Sequence, residues 1–151
     1  MCLSSLVIGA ISLAAIVQYG DKLQEYRQAA ERAYYGERLN RYVTAVVMEA
    51  RGIYGAASTE KAKKFADGLT EDLAEMDNVI AAWTPLVPAE QKATFDKLVA
   101  RSQEFKTFRS ETARLGVNES PEAANKQGNN EANRENRKAF QKEIDTVVDI
   151  D

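Results

Sequence analysis

Apolar side chains recur every three or four residues along most of the chain, which is the spacing of one buried face on an α-helix. The pattern is clearest over residues 39–57. A second stripe runs from Phe65 to Trp83 and a third from Phe95 to Leu115. The apolar positions of the first stripe are Leu39, Val43, Val46, Ala50, Ile53 and Ala57.

Helix boundary signals divide this pattern into four helices. The first runs through residues 18–57, and Ser58 or Thr59 can cap the second, over about 60–83. Prolines 85 and 88 end the second helix. The third begins at Pro88 or Ala89, and Gly116 is typical of a left-handed helix cap. Ser120 and Pro121 then begin a fourth helix, over about 121–150.

The fourth helix carries conflicting signals. Its apolar stripe at residues 140–148 projects backwards through Arg137, Asn133 and Asn130. Residues 125–137 contain five asparagines and one glycine, which disfavour a helix, so by local composition alone this run is a loop. Four helices joined by short connections predict an all-α, up-down-up-down four-helix bundle.

Residues 1–17 contain no charged side chain and are almost long enough to span a bilayer. A signal peptide lacks support, because there is no positive segment before the apolar run. A fully buried core helix is the other alternative. We interpret residues 1–17 as a partial transmembrane helix that continues into the first helix of a domain at 18–151.

Composition removes several classes of function. The 151 residues include no histidine and one cysteine, Cys2, which excludes histidine-dependent nucleophile pairs, histidine-ligated metal and an intrachain disulfide. The net charge of −3 and the interleaved charges argue against nucleic acid as a partner. We expect no enzymatic activity, no metal and no cofactor.

In the predicted bundle, the first and third helices end, and the fourth helix begins, at the same end. Counting residues along the helices from that end places three sets of polar side chains at one level. Arg51 and neighbouring Tyr54 lie near the end of the first helix, Arg109 near the end of the third, and residues 127–130 near the start of the fourth. Guanidinium and amide groups suit a small anion or a zwitterion with a carboxylate. The alternative is that these side chains are solvated or paired with acids of neighbouring helices.

Three segments resemble motifs of the sensor domain of bacterial methyl-accepting chemotaxis proteins. They are VVMEARGIY at 46–54, FRSETARLG at 108–116 and GNNEANRENRK at 128–138. Their order and spacing match the first, third and fourth sensor helices. The family motif has an acidic residue where this chain has Asn129, a departure that implies a different specificity if that position contacts ligand.

The resemblance implies a periplasmic sensor domain, anchored in the inner membrane and typically homodimeric. It implies a ligand, such as a carboxylate or an amino acid, or else a periplasmic binding protein as the partner. Alternatives are the sensor domain of a histidine kinase or cyclase, and a membrane-anchored structural bundle without ligand. The residues that we expect to bind ligand are Arg51, Tyr54, Arg109, Asn130, Asn133 and Arg137.

Overall fold

The computed structural model describes the backbone of residues 2–150 and the side chains of residues 15–150, and this part of the chain is all-α. Its helices are α1 (Cys2–Tyr54), α2 (Thr59–Trp83), α3 (Lys92–Asn118), α4 (Pro121–Gly128) and α5 (Glu131–Val148). Two short 3-10 turns, Thr84–Leu86 and Ala89–Gln91, join α2 to α3. The all-α class is therefore confirmed, with five α-helices where four were expected.

Helix α1 is the longest element, and its described buried side chains begin at residue 36. Its 53 residues correspond to about 80 Å at 1.5 Å per residue. The side chains of residues 15–27 are all exposed, whereas burial recurs every three or four positions from residue 36 onwards. Residues 15–27 of α1 therefore contribute no buried side chain to the core.

No helix of the described residues has the length and hydropathy needed to cross a membrane. The predicted membrane segment, residues 1–17, lies largely outside the residues whose side chains are described.

The apolar stripes meet in one core. Helix α1 packs mainly on α2, and α3 packs on α2 and on the pair α4 and α5, which also contact α1. Trp83 closes one end of the core, with its ring stacked on Tyr35 at 5.7 Å and edge-on to Phe95 at 5.2 Å. Of the predicted stripe on α1, Ala57 is exposed because α1 ends at Tyr54, and the other members are buried.

The predicted start signals of α2 and α4 are confirmed. The Ser58 side chain accepts a hydrogen bond from the backbone N–H of Lys61 at 3.2 Å, and Ser120 accepts one from Ala123 at 3.1 Å. Pro121 occupies the first turn of α4. These hydroxyl groups satisfy backbone donors that have no partner within the helix.

The predicted cap at Gly116 is wrong. Helix α3 continues to Asn118, and no described residue has a positive φ. Gly116 is buried where α3 meets α1, and a Cβ there would collide with Cγ2 of Ile53 and touch Cβ of Ala124 at 3.6 Å. The glycine allows close helix packing and does not provide a left-handed conformation.

The single fourth helix is also wrong, because Asn129 and Asn130 interrupt it. Helix α4 ends at Gly128, and α5 begins at Glu131. Residue Asn130 adopts an extended conformation and caps α5. Most of the run at 125–137 is nevertheless helical, so local composition correctly indicates the break but exaggerates its length.

Candidate functional site

A cavity of about 340 Å³ lies where α1, α3 and the break between α4 and α5 meet. Its size is within the range of small-molecule sites in proteins. Basic and polar side chains dominate its walls. The lining residues are Val47, Arg51, Tyr54, Arg109, Gly128, Asn129, Arg134 and Arg137.

Four of the six residues that the sequence predicts as ligand-binding line this cavity: Arg51, Tyr54, Arg109 and Arg137. The same walls include segments of all three motifs. Asn130 and Asn133 do not line the cavity and have a different role, described below. The residue count along the helices predicted that Arg51, Arg109 and residues 127–130 lie at one level, and Arg51, Arg109, Gly128 and Asn129 do line one cavity. Arg137, which was predicted from the motif resemblance, joins them from α5.

Arg109 is the most unusual of these side chains, because it is a charged group with only 5% of its surface exposed. Its Nη1 donates a long hydrogen bond of 3.4 Å to Oη of Tyr54, and its Nε has no partner. The guanidinium also lies 5.4 Å from the centre of the Phe105 ring. No carboxylate of the described residues is paired with Arg109.

The pKa of Arg109 reflects its burial without an acidic partner among the described residues. Burial lowers the pKa of the Arg109 guanidinium, an effect that Tyr54 opposes and the nearby charge of Arg137 increases. Arginine keeps its charge in proteins, so the cation is retained at an energetic cost. An anion in the cavity would offset that cost.

Tyr54 occupies a tight space between α1 and the end of α4. A Cβ on Gly128 would collide with the Tyr54 hydroxyl group and lie 2.8 Å from Oγ1 of Thr112. Glycine at 128 therefore lets the end of α4 approach the tyrosine. Burial raises the pKa of the Tyr54 hydroxyl group, and the charge of Arg109, the neighbouring Thr112 hydroxyl group and the hydrogen bond from Arg109 oppose this only in part.

Two further arginines have no acidic partner among the described side chains. Arg51 is exposed at the rim, and Arg137 is half-buried with an unpartnered Nε. Neither forms an ion pair within 4.0 Å, in contrast to Arg134, which pairs with Glu131 at 2.8 Å. The cavity thus has three guanidinium groups without a protein carboxylate and a fourth that is already paired.

Asn130 and Asn133 are not among the lining residues of the cavity, and their side chains form hydrogen bonds at the break between α4 and α5. Oδ1 of Asn130 accepts a hydrogen bond from the Asn133 backbone N–H at 3.0 Å. The side-chain amides of both residues donate to the backbone carbonyl of Gln127, at 2.6 and 2.8 Å. The side-chain amide of Gln127 accepts from the Thr112 hydroxyl group at 2.7 Å and donates to the backbone carbonyl of Phe108 at 3.2 Å. This network fixes the start of α5 relative to α3, beside Arg109.

Val47, Gly128, Asn129 and Arg134 also line the cavity and are absent from the predicted set. The signal for Arg134 was its position one turn before Arg137, which places both on the same face of a helix. Gly128 could not be recognised from sequence, since its role depends on the approach of Tyr54.

The side chains that line the cavity are basic and polar, and their chemistry suits an anion. The described residues contain no group of three or more His, Cys, Asp or Glu side chains that could hold a metal ion. Guanidinium groups at a cavity suit carboxylates or other oxyanions, which they bind through paired hydrogen bonds. Comparison with protein-family models, with curated proteins and with solved structures finds no significant match to this chain.

Proposed function

We propose that this chain is the extracytoplasmic ligand-sensing domain of a bacterial methyl-accepting chemotaxis receptor. In this proposal, α4 and α5 together act as the fourth helix of an up-down-up-down bundle. Residues 1–17 belong to a membrane anchor, the domain lies in the periplasm, and two copies form a homodimer.

The observation that carries the proposal is the nearly buried, acid-free guanidinium of Arg109 in a cavity. An unpaired buried charge destabilises a folded protein, so its retention favours a role in binding. A second support comes from the three chemoreceptor-like motifs. Each supplies wall residues: Arg51 and Tyr54 from the first, Arg109 from the second, and Arg137 among those from the third.

The proposed mechanism depends on the three helices that a bound ligand would connect. An anion held by Arg51 on α1, Arg109 on α3 and Arg137 on α5 favours the helix arrangement in which all three can reach it. Helix α1 then carries the displacement along its length of about 80 Å towards the membrane. If the chain is instead the sensor domain of a histidine kinase or cyclase, the same sensing step would act on a different output domain.

A ligand-free structural bundle is the competing class. It predicts that arginines near this end of the bundle are paired with acids, as Arg114 is with Glu111 at 2.7 Å. The absence of such pairs for Arg51, Arg109 and Arg137 among the described residues favours the sensor. A third possibility, recognition of a periplasmic binding protein, would leave the cavity without a small ligand.

The first test measures thermal unfolding of the full chain in the presence of amino acids, organic acids and amines. A ligand that binds only the native state raises the unfolding midpoint by mass action. We expect at least one organic anion to raise it in the wild type and not in an Arg51→Ala, Arg109→Ala double variant. The matched control is Arg101→Ala, Arg114→Ala, which removes two ion-paired arginines that do not line the cavity and should respond like the wild type.

A second test addresses signalling. The chain is fused to the linker and cytoplasmic signalling part of a characterised chemoreceptor, and histidine kinase activity is measured with and without the ligand found in the first test. A ligand-dependent change that the Arg109 variant lacks supports a receptor. Binding without any change in kinase activity would contradict signalling through this domain.

A further inference from the structure

We propose that the ligand of this cavity carries at least two separated negative charges, as a small di- or tricarboxylate does. The inference rests on the proposed function, because it specifies what the same site binds. Among the ligands that the sequence alone leaves open, it disfavours amino acids and other zwitterions, because their ammonium group would face the arginines of the cavity.

The charge of the walls is the first argument. Four arginines line the cavity, and none of its lining residues is acidic. Glu131 neutralises only Arg134, at 2.8 Å. A single carboxylate would therefore leave two guanidinium groups of Arg51, Arg109 and Arg137 without a counter-charge, whereas a second carboxylate brings the site close to neutrality.

Other acids near these helix ends are engaged elsewhere. Glu49 lies against Gly68 on α2, where a Cβ would be 3.0 Å from its carboxyl carbon. Glu111 is bonded to Arg114 on the outer face of α3, at 2.7 and 2.8 Å. The ammonium group of a zwitterion would thus find four guanidinium groups and no carboxylate, which disfavours it electrostatically.

The depth of the arginines indicates that the two charges are apart. Arg109 is buried, Arg137 is half-buried and Arg51 is exposed at the rim, and the three belong to different helices. The cavity volume of about 340 Å³ lies within the range of small-molecule sites. A compact dianion such as phosphate would concentrate its charge at one depth, whereas a dicarboxylate can reach both the buried and the exposed end.

The test is a calorimetric titration of the full chain with three compounds of the same carbon number. Succinate is a dianion, butyrate a monoanion and 4-aminobutyrate a zwitterion at neutral pH. We expect succinate to bind about 10- to 100-fold more tightly than butyrate, the gain of one further charge-assisted pair, and 4-aminobutyrate to bind more weakly than butyrate. Malonate, glutarate, citrate and inorganic phosphate extend the series in length and charge.

Two variants locate the charges. Arg51→Gln changes an exposed side chain for which the described residues provide no partner, so the fold is preserved. It should reduce succinate affinity about tenfold and leave butyrate affinity nearly unchanged. Arg109→Met should weaken both acids. Arg101→Gln, a change on α3 that is not in the cavity lining, is the control and should alter neither.

The outcomes separate this inference from the proposed function. If butyrate or 4-aminobutyrate binds as tightly as succinate, the inference that the ligand carries two negative charges is wrong. The proposed sensor function would then stand with a different ligand. Tighter binding of phosphate than of every dicarboxylate would overturn the separation of the charges. If no di- or tricarboxylate binds, but another compound of the broad panel does so through Arg109, the inference fails and the sensor stands. If no compound shifts the unfolding midpoint at all, both fail.

Discussion

Replacement of Arg109 by methionine should stabilise the protein while it removes ligand binding. The folded state holds this charge at 5% exposure with an unpartnered Nε and without a carboxylate among the described residues. Methionine keeps an unbranched apolar chain and contacts aromatic rings such as Phe105 favourably. Apolar replacement of buried ionic groups gains about 1–4 kcal/mol in other proteins.

Two losses reduce this gain. The hydrogen bond to the Tyr54 hydroxyl group disappears, but at 3.4 Å it is long and worth less than about 1 kcal/mol. The contact of the guanidinium with the Phe105 ring is lost as well. We therefore expect a net gain of about 1–2 kcal/mol. With an unfolding entropy of about 2.1 cal/mol/K per residue, this raises the midpoint by about 3–6 °C for a chain of 151 residues.

The assay is thermal unfolding followed by circular dichroism, with and without succinate. The control variant is Arg101→Met on the same helix, which removes a partly exposed arginine paired with Glu104 at 2.7 Å and should change stability by no more than about 0.5 kcal/mol. A midpoint that falls by several degrees in Arg109→Met would refute the reasoning. It would mean that the guanidinium is satisfied within the protein and supports the fold.

Three further predictions concern the walls and the core. Gly128→Ala should destabilise the protein by about 1–3 kcal/mol, because the new methyl group displaces the Tyr54 hydroxyl group. Gly55→Ala, whose Cβ would meet its nearest atom at 3.5 Å, should be neutral or slightly stabilising in the same denaturation experiment. Burial raises the pKa of Tyr54, so above its ordinary value of about 10 the unfolded state loses this proton first and stability falls as pH rises. Between pH 9 and 11 the midpoint of Tyr54→Phe should accordingly fall less than that of the wild type, and parallel curves would contradict the burial effect. Trp83→Ala should cost about 3–5 kcal/mol in urea unfolding, since a ring that is 1% exposed is removed, and a loss below about 1 kcal/mol would show that this end of the core is loose.

The apolar periodicity predicts the helices well because burial is the strongest constraint on those positions. Leu39, Val43 and Val46 follow a helical spacing and are buried in α1. Serines 58 and 120 also act as predicted, since capping depends on local chemistry alone. Features that depend only on neighbours in sequence are thus predictable from one chain.

Features that depend on contact with another helix are not predictable from the sequence of one chain. Gly116 resembles a cap in sequence, but its role is to admit Ile53 of α1. The break at Asn129 and Asn130 follows from a network centred on Gln127, which joins α3, α4 and α5. The spacing of residues within one helix does not reveal the contacts of Gly116 or those of Gln127.

The candidate site shows the same division. Arg51 and Arg109 reach one cavity because helix lengths determine their level, and lengths can be counted in a sequence. Arg137 was predicted from the motif resemblance and not from that count. Asn133 was expected to bind ligand, yet its amide donates to the Gln127 carbonyl at 2.8 Å and its side chain is 2% exposed. An amide side chain that satisfies the backbone of a helix break has the same sequence signature as one that binds a ligand.

The central claim is that an anion from outside the protein is the missing partner of Arg109. It is tested most directly by a crystal structure of the chain grown with the tightest-binding anion of the carboxylate series. We predict a carboxylate oxygen within about 3.2 Å of Nε of Arg109, with a second carboxylate near Arg51 at the rim. An empty cavity at saturating ligand, or an acidic side chain of the protein bonded to Arg109, would contradict the account.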